Sequence, residues 1–227
     1  MSTNITRHDS HLLTPESREQ FRGQKGFTLW FTGLSASGKS TIAVELEHQL
    51  IAKRGLAVYC LDGDNIRFGL NKDLDFSPEG RTENIRRIGE VARLFADSNT
   101  IALASFISPY KADRQRVRDL HAGVPEPKKE GEKEDPPKRA LPFIEVFVDV
   151  DIDLAIKRDP KGLYAKALRG EIKHFTGISE DSPYEKPENP EIHIKNDDTM
   201  TMESATKQII DYLEEKGLLP PAPAAAN

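Results

Sequence analysis

Residues 27–50 read FTLWFTGLSASGKSTIAVELEHQL, and the changes of pattern inside that stretch decide the fold. Phe27 to Thr32 is short, aromatic and β-preferring, the composition of a buried strand. Gly33 to Ser40 is rich in Gly and Ser and carries no apolar period. From there Ile42, Leu46 and Leu50 recur every fourth residue, which places them on one face of a helix. Gly55 stands where a glycine ends a helix. Strand, tight turn and helix in this order form a repeating unit of an open α/β sheet, and ligands of such sheets bind at the carboxyl ends of the strands.

The same alternation continues outward. Strands are expected over 57–61 (AVYCL), 100–106 (TIALASF), 143–150 (FIEVFVDV) and 191–196 (EIHIKN). Between them lie helical patterns: Ser77-Pro78 reads as a helix start, followed by the stripe Ile85, Ile88, Ala92, Phe95. Further helices are expected over about 111–121 and 202–216. The fold class that follows is α/β, a parallel sheet of about five strands with helices on both faces. Residues 123–140 are charged, proline-bearing and aperiodic, and read as a flexible surface insertion. Residues 1–24 are polar without a sustained period and read as an extension, disordered alone or packed at a dimer interface. The domain then spans 25–218, with a disordered tail over 219–227.

Composition narrows the function classes. Among 227 residues 37% are hydrophobic and 30% charged, with a net charge of −5, so no global field exists to attract a nucleic acid. No apolar run approaches a membrane span and the N-terminus has no apolar signal core. A single cysteine, Cys60, excludes an intrachain disulfide and suits a reducing, cytoplasmic setting. The six histidines show no paired ligand spacing, so no structural metal is expected.

Gly33-Leu34-Ser35-Ala36-Ser37-Gly38-Lys39-Ser40 fits the P-loop pattern G-x-x-x-x-G-K-[ST] at every fixed position, between a strand and a helix as the pattern requires. The glycines let the backbone curl so that its N–H groups face a polyanion, and the helix adds the positive end of its dipole. Gly33 to Thr41 is therefore the expected ATP-binding run, with Lys39 on the β- and γ-phosphates and Ser40 on Mg²⁺. The guanine-reading N-K-x-D of GTPases is absent: Asn71-Lys72-Asp73 lacks the intervening residue. A small-molecule kinase is the favoured class.

The acceptor side follows from what stands after the other strands. Asp62 and Asp64 flank Gly63 at the end of the second strand and can serve Mg²⁺ or take a hydroxyl proton. Asp149, after the fourth strand, competes for the metal role. Arg67 and Arg81 flank loops beside the expected site and suit anion capture, whereas Arg86 and Arg87 read as a solvated helix face. Phe76 and Phe175 sit in polar loop sequence, where a ring can stack on a base or anchor its own loop. An anionic acceptor with a planar ring is a nucleotide.

GLSASGKST (33–41), LDGDNIRFGLN (61–71), ENIRRIGEVARLFADS (83–98), SFISPY (105–110), RDPKGLYAKA (158–167) and FTGISE (175–180) with YEKPENPEI (184–192) together resemble the adenylyl-sulfate kinases (APS kinases), most closely the fungal forms. The resemblance implies transfer of the γ-phosphoryl of ATP to the 3′-hydroxyl of adenylyl sulfate, a homodimer and a place in sulfate assimilation. It also implies an acceptor site of Asp64, Asn65, Arg67, Phe76, Arg81, Asn84, Ile107, Ser108, Lys161 and Phe175. In it the rings of Phe76 and Phe175 sandwich the adenine, and Arg67, Arg81 and Asn84 hold the phosphosulfate. Lys161 to Tyr164 resembles a lid, and Arg158 beside it would stabilise transition-state charge. Asp62 would be the Mg²⁺ partner or the proton acceptor. Ser108 is a position the family labels as a phosphoserine intermediate, although direct in-line transfer needs no such intermediate.

The sequence departs from the family at Asp75, where glycine is usual, at Gly80 and at His174. Asp75 is expected to weaken acceptor binding if its backbone needs a positive φ. Two other readings share parts of the pattern: a different small-molecule P-loop kinase, or a nucleotide-binding regulatory module.

Overall fold

The computed structural model describes residues 14–125 and 138–220. Five parallel strands form one sheet: β1 (Phe27–Thr32), β2 (Val58–Asp62), β3 (Ile101–Ser105), β4 (Phe143–Asp149) and β5 (Ile192–Lys195), in the spatial order β2-β3-β1-β4-β5. β1 is central and buried on both faces. Its alternation sends Phe27, Leu29 and Phe31 to one side and Trp30 to the other.

The first side is covered by α2 (Lys39–Arg54) and α8 (Met202–Glu215). There Ile42, Leu46 and Leu50 meet Ile209 and Leu213 over the sheet, as the four-residue spacing requires. The opposite side is covered by α4 (Pro78–Asp97) and α5 (Lys111–Ala122), which bring Ile85, Ile88, Ala92 and Val117 onto Trp30, Ala102 and Ala104. Each fully buried Leu or Ile contributes about 1.5–3 kcal/mol of transfer free energy. Local signals set the helix ends. Ser77 caps α4 by accepting from the Gly80 N–H, with Pro78 in the first turn. Gly55 closes α2 at φ 66° and donates to the Leu50 and Ile51 carbonyls.

The structure adds four short helices to the reading above. α1 (Pro15–Arg22) lies in the N-terminal stretch expected to be disordered alone or packed on a partner. Its Arg18 pairs with Asp97 at 3.8 Å, so this turn packs on its own chain. α3 (Gly63–Phe68) replaces an expected loop after β2, and α6 (Ile152–Arg158) and α7 (Leu163–Leu168) divide the basic stretch before β5. Each has eight residues or fewer, too short to carry a visible period. Leu219 is buried in the core, so the ordered chain continues past the expected boundary at 218. Most of the expected 123–140 insertion, and residues 1–13 and 221–227, lie outside the described residues. Among the described residues no helix is long and apolar enough to cross a membrane.

Candidate active site

The turn between β1 and α2 adopts the conformation its glycines permit. Gly33 (φ 148°) presses on β4: a Cβ there would meet the Val148 carbonyl oxygen at 2.4 Å. Gly38 (φ 90°) is the N-cap of α2, and a Cβ there would meet Asn196 Nδ2 at 2.8 Å. Ala36 also has a positive φ, 59°, a strain of the kind stored at functional loops. The Ser37 N–H closes the turn on the Leu34 carbonyl at 3.2 Å.

Lys39 lies inside this curl, 7% exposed, donating to the Leu34 carbonyl at 2.6 Å and to Ser37 Oγ at 3.2 Å. Burial pushes its ammonium down to about 7; Asp62 opposes that shift and Lys161 adds to it. Ser40, one residue on, donates to Asp62 Oδ2 at 2.7 Å and lies 3.2 Å from Ser105 Oγ. Asp62 is thus joined to the P-loop hydroxyl, while its Oδ1 caps α3 by accepting from the Asp64 N–H at 3.0 Å. The competing carboxylate, Asp149, is engaged elsewhere: Lys186 Nζ lies 3.0 Å from one oxygen and His193 Nε2 3.1 Å from the other.

Oxygen donors of this kind fit a hard cation such as Mg²⁺, and one hydroxyl with one carboxylate matches an ion that also keeps water and phosphate oxygens. Among the described residues no group of three or more His, Cys, Asp or Glu could hold a metal ion. Cys60 is a partly buried thiol pushed up to about 12, by burial first and then by Glu47, so it is not a nucleophile.

The acceptor candidates gather from four segments. Lys161, ahead of α7, forms an ion pair with Asp64 of α3, and the neighbouring Asn65 is exposed. Tyr164 of α7 is fully buried and its hydroxyl donates to the Ser35 carbonyl at 3.0 Å, which seats α7 on the P-loop. Phe175 packs edge-on against Tyr164, ring centroids 5.0 Å apart, and is 9% exposed. Phe76 is 57% exposed, with the Arg67 guanidinium 4.2 Å over its ring and that of Arg81 at 5.7 Å.

Arg81 joins the two aromatic loops. It donates to the carbonyls of Phe76 (3.0 Å) and His174 (2.7 Å) and to Thr176 Oγ1 (3.1 Å). Arg67 donates to the carbonyls of Leu74 and Asp75, both at 3.1 Å. Burial, and then the neighbouring Arg81, loosen the hold of Arg67 on its proton, a repulsion that an incoming anion relieves. Asn84 is buried and accepts from Asn71 Nδ2 at 2.9 Å. Ile107 and Ser108 stand one residue beyond β3, after Phe106. Ser108 is 2% exposed at φ 40°, and its Oγ accepts from Trp30 Nε1 at 3.1 Å.

Several expectations change. Asp75 has no positive φ; the strained residue is His174, at 55°, whose carbonyl thereby meets Arg81. Asp75 instead accepts from the Ser77 N–H (3.1 Å) and Oγ (2.5 Å), bonds that hold its carboxyl below the usual range. Gly80 complements it, since a Cβ there would meet Asp75 Oδ1 at 2.3 Å. Arg158 holds Asn196 Oδ1 at 2.9 Å and the Asp197 carbonyl at 3.3 Å. Asn196 in turn donates to the Ser37 carbonyl at 2.6 Å. That asparagine stands directly after β5, so the strand-end rule alone could have singled it out. Arg86 and Arg87 are half-buried and paired with Glu83, and Arg87 also with Asp73.

With this geometry in place, the comparisons are direct. The family model for adenylylsulphate kinase matches residues 25–195. The chain belongs to the adenylylsulphate kinase family. Its relatives include the adenylyl-sulfate kinase of Emericella nidulans, 63% identical over 96% of this chain and 99% of that one. That of Penicillium chrysogenum is 60% identical over 97% and 98%. Among solved structures, the Mycobacterium tuberculosis APS kinase in complex with AMPPNP and APS has a TM-score of 0.73 and 44% identity. It covers 84% of this chain and 99% of its own. The structural relative carries an ATP analogue and APS together, the two classes of ligand read above from the P-loop and from the arginine and aromatic loops.

Proposed function

We propose that this protein transfers the γ-phosphoryl group of ATP to the 3′-hydroxyl of adenylyl sulfate, giving PAPS and ADP, in sulfate assimilation. The observation that carries the reading is the pairing of a complete P-loop with a carboxylate on its hydroxyl, opposite loops that present Arg67, Arg81, Phe76 and Phe175. Membership of the adenylylsulphate kinase family supports the same acceptor.

In this scheme the P-loop N–H groups and Lys39 take the phosphates, and Lys39 exchanges the Leu34 carbonyl for a phosphoryl oxygen. Ser40 and Asp62 would hold Mg²⁺, which when bound would neutralise phosphate charge. Because Asp62 Oδ2 accepts from Ser40, we assign this carboxylate to the metal side rather than to the acceptor proton. Arg67 and Arg81 face the sulfate and phosphate of the acceptor, and Phe76 and Phe175 flank its base. The 3′-oxygen attacks the γ-phosphorus in line, the bond to the β-phosphate oxygen breaks, and the hydroxyl proton leaves to solvent or a carboxylate. Lys161 lies at the mouth of this space, paired with Asp64 until the ligands arrive. Direct in-line transfer needs no covalent step at Ser108, whose buried Oγ accepts from Trp30. The reading extends to a homodimer, for which the exposed side chains of Phe21 and Phe68 offer apolar surface, and to a cytoplasmic setting, which the lone cysteine suits.

A coupled ADP-release assay with ATP, Mg²⁺ and adenylyl sulfate, with AMP as the control acceptor, tests the scheme. ADP release that depends on adenylyl sulfate and not on AMP is the expected result. Binding of both nucleotides without turnover would move the assignment to a regulatory module.

A further inference from the structure

One buried charge is not used by the scheme above. Arg114, on α5, is 4% exposed and belongs neither to the P-loop nor to the candidate acceptor set. Its three guanidinium nitrogens go to three different places. Nε donates to Glu145 Oε1 at 2.7 Å, Nη1 to the Ser108 carbonyl at 2.7 Å, and Nη2 to the Glu185 carbonyl at 2.7 Å. Glu145, on β4, is 8% exposed and has Arg118 on its second oxygen at 3.3 Å.

The Ser108 end of this fork is the strained one. A serine at φ 40° sits in the left-handed region that side chains disfavour, and such a conformation persists only where its surroundings over-determine it. The surroundings here are specific. Thr32 Oγ1 donates to the Ile107 carbonyl at 2.8 Å, Arg114 takes the Ser108 carbonyl, and the Glu185 N–H takes the Pro109 carbonyl at 2.9 Å. Three successive carbonyls are thus drawn to the interior. Arg114 reaches two of the attachments, since it also binds the Glu185 carbonyl, and Glu185 returns a carboxylate oxygen to the Lys111 N–H at 2.7 Å. The planar fork spreads its donors over three nitrogens in fixed directions, whereas the three donors of an ammonium leave a single atom and cannot span these separated acceptors.

We propose that Arg114 is a positioning residue for the acceptor: it holds the Ile107–Ser108 turn in its strained form, with Glu145 as the buried countercharge. The inference rests on the reading that this turn lines the acceptor site. Arg114 touches neither substrate, so its loss acts through the turn and spares the P-loop, whose closing bonds are its own.

The structure also supplies a reporter. Trp30 is the only tryptophan in the chain, and its indole N–H donates to Ser108 Oγ. Displacement of the turn therefore changes the environment of Trp30. Arg114→Lys keeps the charge and removes the fork; Glu145→Gln keeps the shape and removes the countercharge. For wild type and both variants, turnover is measured against each substrate, together with Trp30 emission and ATP affinity by calorimetry. The expected result is an acceptor KM raised about tenfold or more in Arg114→Lys, the loss of roughly one strong hydrogen bond. ATP affinity should stay within about twofold, and Trp30 emission should shift before any ligand is added. Glu145→Gln should move the same quantities in the same direction by less, and it carries the test alone if Arg114→Lys does not fold.

An unchanged acceptor KM with unchanged emission overturns the proposal, and so does an equal loss for ATP and acceptor, which is the mark of a general scaffold residue. A wild-type enzyme without adenylyl-sulfate turnover would instead overturn the proposed function, and the inference with it.

Discussion

The two halves of the site are built in opposite ways. The core of the donor half is local, although Asn196 and Tyr164 brace its Ser37 and Ser35 carbonyls from afar: Lys39 bonds to the Leu34 carbonyl five residues away and to Ser37 Oγ two residues away. The acceptor half is assembled at long range. Lys161 meets Asp64 across 97 positions, and Arg81 meets the His174 carbonyl across 93. A local site is specified by spacing and backbone conformation and holds its shape wherever the strand and helix form. A long-range site exists only when the loops are docked, and its residues bond one another when no ligand is there. Arg81 shows this, with a donor on the His174 carbonyl of the distant loop it joins. The donor half should therefore fail by chemistry, and the acceptor half by geometry.

The largest effect should come from Lys39→Ala. We expect kcat to fall by about 10³-fold, as for removal of a principal transition-state donor. The Tm should not drop, because burying this ammonium disfavours the folded state; a large drop would make Lys39 part of the scaffold. Asp62→Asn comes next, with turnover down about 10²-fold and a higher Mg²⁺ requirement. A pH profile that moves at constant Mg²⁺ dependence would instead make Asp62 the proton acceptor.

Arg81→Lys probes the geometric half. It loses at least one of three directed bonds, so the acceptor KM should rise by about tenfold while the KM for ATP stays near wild type. Equal changes in both would erase the division between the halves.

Proton linkage sharpens the donor side. Lys39 is held at about 7 without ligand, against 10.5 for an ordinary lysine. The folded chain therefore binds fewer protons than the unfolded one between those values. The resulting stability penalty is complete below about 7 and fades as pH rises towards 10.5. Phosphates favour the ammonium, so ATP binding at about pH 8.5 should take up close to one proton, and at about pH 6 almost none. Calorimetry in buffers of different ionisation enthalpy reads this number, and equal uptake at both pH values would contradict it. The smallest effect is expected from Asp75→Gly. Its carboxylate serves Ser77, so the acceptor KM should change by less than about twofold, with a modestly lower Tm. A clear fall in KM would restore the view that this charge opposes the acceptor.

Much of the fold was legible because its signals are periodic or punctual. The spacing Ile42, Leu46, Leu50 and the pair Ser77-Pro78 each name a structure without reference to the rest of the chain. The helices that escaped notice, α1, α3, α6 and α7, are too short to show a period and rest on caps and docking. The sequence already favoured Asp62 over Asp149, because two carboxylates flanking Gly63 repel each other at a cost that a mere turn does not need; the structure adds the 2.7 Å bond from Ser40. The partner of Arg158 was beyond the sequence: in space it holds Asn196, which bonds the Ser37 carbonyl of the P-loop.

What the sequence determined by itself is the phosphate-binding turn, the strand–helix alternation and the family, because each depends on residues within a few positions of one another or on blocks whose order is enough. The tertiary structure alone decided where the Arg81 fork points and why Ser108 tolerates a left-handed backbone. Those are contacts between segments that approach only after the sheet has formed and buried its two faces, and no spacing along the chain encodes a distance across it.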